Sequence, residues 1–323
     1  MAQTLILGVA LSLAVTPLYA AEKLRVGFPS LATALSPSWI TSKKGFWKRY
    51  GLDVELIYMA GGVTVPALIG GSVQLIIGSD PETTIAILKG ANLVRLGVTT
   101  NSLGSSLLTQ QSIQSIKELK GKTIGIGSRG RTSLEVRLSE LLRDNGIDPK
   151  QDVKFLPIGG GPPSRVAALE KGIILAAMIT PPYDLVAEKQ GLKILSRVDV
   201  PLIAGGISTT LPFLKNNREV LIRFLKGYME GIRYLITYRR ESVAFFSSYL
   251  GNPDLTIMAR FYDEIAGRVD KGLRPNVKSV RFLIDFVALD LPQAKYLTER
   301  DHWDLSLLEE IHLSGFLEQL YKN

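Results

Sequence analysis

Apolar positions change rhythm along this chain, and the rhythm marks its elements. Short runs of aliphatic residues alternate with stretches whose apolar residues recur every three or four positions. "LRVGFP" (Leu24–Pro29) reads as a strand. A helix is expected over Ser36–Gly51, with Pro37 at a first helical position and Gly51 past the end, the usual punctuation. A strand over Asp53–Met59, a short helix ending at Gly70-Gly71, a buried strand over Val73–Gly78, a helix over Pro81–Lys89 and a strand over Leu93–Thr100 follow. This βαβαβαβ order predicts a mostly parallel sheet with helices on both faces.

The order then repeats. Lys122–Gly127 is a strand, followed by a helix with a Thr132-x-x-Glu135 capping box. Strands over Val153–Ile158, Ile173–Ile179 and Leu192–Ser196 enclose helices over Pro162–Lys171 and Pro181–Gln190. Residues 67–94 align with 168–195 without a gap, with six of 28 positions identical: Ala67/Ala168, Leu68/Leu169, Gly71/Gly172, Pro81/Pro182, Ala86/Ala187 and Gly90/Gly191. Average composition predicts roughly two. Gly51-Leu52-Asp53 and Gly146-Ile147-Asp148 close equivalent helices. A duplication of this kind predicts two α/β lobes, with the cleft between them as the ligand site. The expected division is residues 22–107 plus 205–323 for the first lobe and 108–204 for the second, joined by two crossings that act as a hinge. From Leu211 the pattern turns helical to the C-terminus. Leu221, Phe224, Leu225, Tyr228, Ile232 and Leu235 fall on one face of a long helix.

Composition narrows the setting. "LILGVALSLAV" (Leu5–Val15), then Pro17, Ala20 and Ala21, reads as a signal peptide over residues 1–21, cut near Ala20 or Ala21. The run is too short to span a bilayer. The chain has no cysteine, which excludes disulfides, thiolate metal sites, a cysteine nucleophile and a lipid-anchored cysteine. The expected location is the periplasm, without an anchor. The net charge is +8, and none of it lies in residues 1–21. The basic residues are scattered in short runs such as Lys43-Lys44 and Arg239-Arg240. Nucleic acid is not an expected partner, because no basic stripe is interleaved with aromatics.

Candidate site residues sit where strands run into helix starts. These are Ser36-Pro37, Ser79-Asp80-Pro81, Gly130-Arg131-Thr132-Ser133, Gly160-Gly161-Pro162-Pro163 and Thr180-Pro181-Pro182. Each alone is an ordinary cap. Converging on one cleft, their free N–H groups and positive dipole ends suit an anionic or hydrogen-bond-accepting group. "GIGSRGRTS" contains Gly125-x-Gly127-x-x-Gly130, but the acidic residue of a dinucleotide site is missing after the next strand; Asp144 and Asp148 precede it. No cofactor is expected. The loop instead offers Ser128, Arg129 and Arg131, since arginine clamps oxyanions bidentately. Arg165 follows "GGGPPS" and reaches toward the same cleft. Thr99–Ser106, with Ser102 and Ser105, reads as a hydroxyl-rich loop. Trp39 is a candidate pocket wall, Trp47 a packing residue; Tyr183 and Asp184 either touch ligand or line the first turn of their helix. The two histidines, His302 and His312, lie in the tail, so no Ser-His-Asp set assembles. Binding without chemistry is the expected activity.

"LRVGFPS", "KKGFWKRYGLDVELIYMAGGVTVPALIGGSVQLIIGSDP" and "SIKELKGKTIGIGSRGRTS" resemble the solute-binding proteins of ABC importers, of the nitrate/sulfonate/taurine type, whose fold is shared with pyrimidine synthases of thiamine biosynthesis. The resemblance runs from about Leu24 to about Thr210. It implies a type II periplasmic-binding-protein fold, with a small solute and a membrane permease as partners of a monomer. It also implies ligand contacts from Ser30, Leu31 and Thr33, from Ser79 and Asp80, and from Ser102 to Ser105. Further contacts fall at Ser128 to Thr132, Gly160 to Arg165 and Pro181 to Asp184. The synthases, the alternative on this fold, need an active-site histidine and a cysteine cluster that the lobes lack.

Overall fold

The first copy folds as β1 (Glu22–Phe28), α1 (Ser36–Lys43), α2 (Phe46–Arg49), β2 (Leu52–Tyr58), α3 (Thr64–Ile69), β3 (Leu75–Ile77), α4 (Asp80–Leu88) and β4 (Leu93–Thr109). The second repeats it: β5 (Thr123–Ile126), α5 (Ser133–Asp144), β6 (Lys154–Pro157), α6 (Gly161–Glu170), β7 (Ala176–Ile179), α7 (Tyr183–Lys189) and β8 (Lys193–Thr210). The computed structural model describes residues 21–29, 35–59, 62–127, 133–298 and 301–322. The leader and seven predicted site residues (Ser30, Leu31, Thr33, Ser128, Arg129, Arg131 and Thr132) lie outside the described residues. The helix expected over Ser36–Gly51 is two helices, because Gly45 takes a left-handed φ of 72° that ends the first and opens the second.

All eight described strands share one sheet, in the order β2-β1-β3-β8-β4-β7-β5-β6. Each half consists of the second, first and third strands of one copy followed by the fourth strand of the other. The sheet is mixed, which corrects the mostly parallel expectation. β1 runs parallel to β2 and β3, and β5 parallel to β6 and β7. The two fourth strands run antiparallel to each other and to β3 and β7.

The hydroxyl-rich stretch Thr99–Ser106 is therefore not a loop. It is the middle of β4, paired with β8 from Leu93↔Thr210 to Thr109↔Lys193 with three register shifts. Serine, glycine and asparagine have weak strand propensity, and the long antiparallel pairing with β8, joined by β7 from Ser106 on, overrides it.

Apart from the Pro81/Pro182 pair, which opens α4 and α7, the repeat's identities fall at or near helix endings. Gly71 and Gly172 have φ of 74° and 69°, Gly90 and Gly191 of 87° and 98°. Gly71 N donates to Leu68 O and Gly172 N to Leu169 O, at 3.2 and 3.0 Å; Ser72 N and Ile173 N donate to Ala67 O and Ala168 O, at 2.9 and 3.0 Å. These bonds satisfy the last carbonyls of α3 and α6 through a left-handed glycine.

The tail is helical: α8 (Leu211–Asn216), α9 (Arg218–Thr237), α10 (Arg239–Leu250), α11 (Leu255–Ala266), α12 (Val277–Ala288), α13 (Ser306–Leu313) and α14 (Phe316–Tyr321). It belongs to the first lobe's core, where the predicted face of α9 packs with Leu24, Val26, Ile40 and Trp47. The Trp47 ring stacks on Phe224 at 5.1 Å and its Nε1 donates to Phe224 O at 3.0 Å, so it is a packing residue as expected. The half of the sheet formed by β4, β7, β5 and β6 has a core on each face of its strands. Leu107, Ile124 and Met178 lie under α5, and Leu108, Ala177 and Ile179 under α6, following the two-residue alternation of strands.

Candidate functional site

The start of α6 faces the end of β2, where the candidate cleft is expected: a Cβ on Gly161 would stand 4.0 Å from the Tyr58 hydroxyl. α6 opens on Gly160 and Gly161, with φ of 79° and 80°, conformations that favour glycine. One turn in, the Arg165 side chain turns back toward the end of β5. It is only 3% exposed. A Cβ on Gly127 would stand 3.3 Å from its Nη1. Arg165 Nε has no hydrogen-bond partner, and no carboxylate among the described residues pairs with this guanidinium. Burial pushes its pKa down to about 10. Burying a cation without a counter-charge is unfavourable, so this position is primed for an anion. The hydroxyl of Thr180, buried at the end of the neighbouring β7, also lacks a partner.

The first two glycines of the G-x-G-x-x-G pattern have packing reasons. Ile174 Cδ1 occupies the space that a Cβ on Gly125 would take, and Gly127 makes room for Arg165.

At the start of α4, Ser79 has a φ of 59°, an uncommon conformation for a non-glycine residue. The Asp80 carboxylate is buried and internally engaged. Its Oδ1 accepts from Gly206 N at 3.1 Å and lies 3.8 Å from Arg95 Nε. Arg95 also donates to Thr84 Oγ1 at 2.9 Å and to the Asp80 carbonyl. Desolvation raises the Asp80 pKa to about 6, against the pull of Arg95.

The β4–β8 ribbon carries the other predicted residues. Ser102 Oγ accepts from Arg268 at 3.2 Å, and Ser105 Oγ from Arg137 at 3.0 Å. Asp184 accepts from Ser106 Oγ at 2.6 Å and from Leu185 N at 2.8 Å, with Arg197 3.6 Å away. Pro182 is the N-cap of α7, and Tyr183 is its first residue, with its hydroxyl pKa raised by burial. Trp39 is buried in the first lobe's core, stacked on Tyr249 at 4.8 Å with its Nε1 unpartnered.

Arg137 was missed. It is fully buried on α5, with Nε and Nη2 unpartnered. The signal available was an arginine set among Leu134, Leu138 and Leu141 on the apolar face of a helix. Arg95, inside the apolar run "LVRLGV", gave the same signal.

Comparisons fit this geometry. In fold, the chain is similar to a Bordetella bronchiseptica protein, with a TM-score of 0.77 at 18% identity over 93% of this chain and 98% of that one. It is similar to the periplasmic aliphatic sulphonate binding protein of Escherichia coli, with a TM-score of 0.64 at 21% identity over 86% and 94%. It is also similar to the periplasmic nitrate-binding protein of Synechocystis PCC 6803, with a TM-score of 0.67 at 14% identity over 91% and 89%. A binding protein of Brucella abortus (strain 2308) is 28% identical over 136 residues. That stretch is 41% of each chain, so this chain spans less than half the length of the curated relatives it matches. The family described as NMT1/THI5 like matches residues 33–242. That span starts after β1, runs through the rest of both copies of the repeat and reaches into α10, and with it the chain belongs to the NMT1/THI5-like family.

Proposed function

We propose that this chain is the solute-binding component of an ABC import system, working outside the cytoplasmic membrane on a small anionic organic solute. The lobe of residues 22–107 plus 205–323 and the lobe of 108–204 close on the solute by bending the β4–β8 ribbon. The loaded monomer then delivers it to a membrane permease without chemical change. The observation that carries the reading is Arg165, a buried guanidinium with no counter-charge at the mouth of α6. The helix N-terminus adds its own preference for negative charge. Arg129 and Arg131, which fall between β5 and α5 in the sequence, are proposed as further contacts to the same anion. The sulphonate- and nitrate-binding names of the neighbours support an anionic solute. Among the described residues, no helix is long and apolar enough to cross a membrane.

The test is calorimetry on the purified protein with sulfonates, carboxylates and nitrate, guided by native mass spectrometry of any co-purified solute. A charge-assisted hydrogen bond contributes about 1.5–3 kcal/mol, so Arg165→Gln weakens binding about tenfold to a hundredfold, while Lys271→Ala in the tail leaves it unchanged. Wild-type affinity in Arg165→Gln would refute the anionic site. A solute returned chemically altered would move the reading to an enzyme.

A further inference from the structure

A second pocket lies on the outer side of the first lobe. α1 starts at the cleft and runs roughly 12 Å for its eight residues, and the pocket opens at its far end. The cavity is about 390 Å³, within the range of about 300–1,000 Å³ that small-molecule sites occupy. Its floor is aromatic. Phe46 lies 5.7 Å from Tyr234, and Tyr234 lies 4.8 Å from Tyr238, ring centroid to centroid. Its rim is cationic. Lys44 Nζ sits 4.8 Å above the Tyr234 ring, and Arg49 sits 4.7 Å above the Phe46 ring.

Glu230 is the acid in the lining, and it is already occupied. Its Oε1 accepts from the Tyr50 hydroxyl at 2.6 Å and its Oε2 from Arg49 at 3.3 Å. Lys44 has no carboxylate partner among the described residues, and its charge rests on a ring face alone. The pocket therefore pairs flat apolar surface with an excess of positive charge, and nothing in the cleft requires it.

From this we infer that the outer pocket is a second binding site, taking a small aromatic anion. The ring of such a molecule stacks on Tyr234 and Tyr238, and its acidic group meets Lys44 and Arg49. A ring of this size matches the aromatic floor, and the acid supplies the charge that Glu230, already shared, does not.

The probe is 4-fluorobenzenesulfonate, followed by fluorine NMR line broadening on the full chain, with the neutral 4-fluorobenzenesulfonamide as control. The sulfonate binds wild type, and the sulfonamide binds at least fivefold more weakly. Lys44→Glu weakens the sulfonate tenfold or more and Arg49→Gln about fivefold, with melting temperatures close to wild type because both side chains are exposed. Arg165→Gln, which tests the cleft, leaves this outer binding in place whether or not the cleft reading stands. Three outcomes overturn the inference: no binding to wild type up to millimolar probe, unchanged binding in Lys44→Glu, or loss confined to Arg165→Gln.

Discussion

Arg95 and Asp80 show how much one buried pair can organise. The pair is fully buried and joins α4 to β4 and β8. Through its backbone, Arg95 also ties down the tail, donating from N to His302 O at 3.0 Å and accepting at O from Asp304 N at 2.8 Å. Removing one partner strands the other charge, at a cost of about 3–5 kcal/mol. Arg95→Met is expected to lose about that much stability in urea unfolding, and adding Asp80→Asn to recover at least half of it. A double variant as unstable as the single one would show that the backbone bonds, not the charges, dominate. His302 reports on the same cluster. Burial and the Arg95 charge push its pKa down to about 4, below the ordinary value of about 6.5. The folded chain thus binds fewer protons than the unfolded one between those values, and stability falls as pH drops from about 6.5 to about 4, by up to about 3 kcal/mol. Asp80, with its raised pKa, acts in the opposite direction, so the effect is read as a difference. Thermal unfolding of His302→Asn should show a shallower loss than wild type across this window; parallel curves would exclude His302 as the source.

At the scale of elements, α9 approaches α1 and α2 through glycine. A Cβ on Gly227 would lie 2.7 Å from Trp47 Cδ1 and 3.3 Å from the Trp47 Cα. A Cβ on Gly231 would meet the Thr41 side chain and stand 3.1 Å from the Thr41 Cα. Alanine in a helix interior is favoured over glycine by about 1 kcal/mol. Overpacking against backbone typically costs about 1–3 kcal/mol, and at Gly231 the backbone is among the atoms met. Gly231→Ala is therefore expected to lower the melting temperature by several degrees; a rise would mean that α9 slides freely. The ribbon of β4 and β8 shows the converse economy. In its polar middle, Ser102 and Ser105 accept from Arg268 and Arg137, Ser106 donates to Asp184, and Thr99 and Thr100 donate to the carbonyls of Gly205 and Ala204.

For the molecule as a whole, the contacts between the proposed lobes are few and varied. Lys189 pairs with Asp254 at 2.8 Å and Lys150 with Asp290 at 2.6 Å. Val136 packs with Leu202 and Phe286, and Leu185 joins the first lobe's core. Exposed ion pairs contribute about 0–1 kcal/mol each, so these two add little to holding the proposed lobes together. Saturating solute is expected to reduce the radius of gyration in small-angle scattering. An unchanged radius would count against hinge closure. In the duplicated sheet each copy's fourth strand lies beside the other copy's third, so the two copies are joined through β4 and β8.

Periodicity and punctuation were local, and local signals were legible. Helix starts at Pro37, Pro81 and Pro162, endings at Gly71, Gly90, Gly172 and Gly191, and the apolar face of α9 all followed from short-range sterics that neighbouring residues impose. The duplication was legible too, because equivalent caps need equivalent residues. Arg165 could be picked out as a candidate from its place one turn into a helix after a strand. What the chain alone could not decide was long-range. Nothing in "TTNSLGSS" announces that it pairs with a strand about a hundred residues later. Nor does the motif around Asp80 show that its carboxylate faces Arg95 rather than a solute. Sequence determined the order of helices and strands and most helix ends, but not the length of β4 and β8, which run on to Thr109 and Thr210. Tertiary structure decided the swap of the fourth strands, and which buried charges have partners. Those depend on which surfaces meet, and burial makes an ion's environment a property of the whole fold.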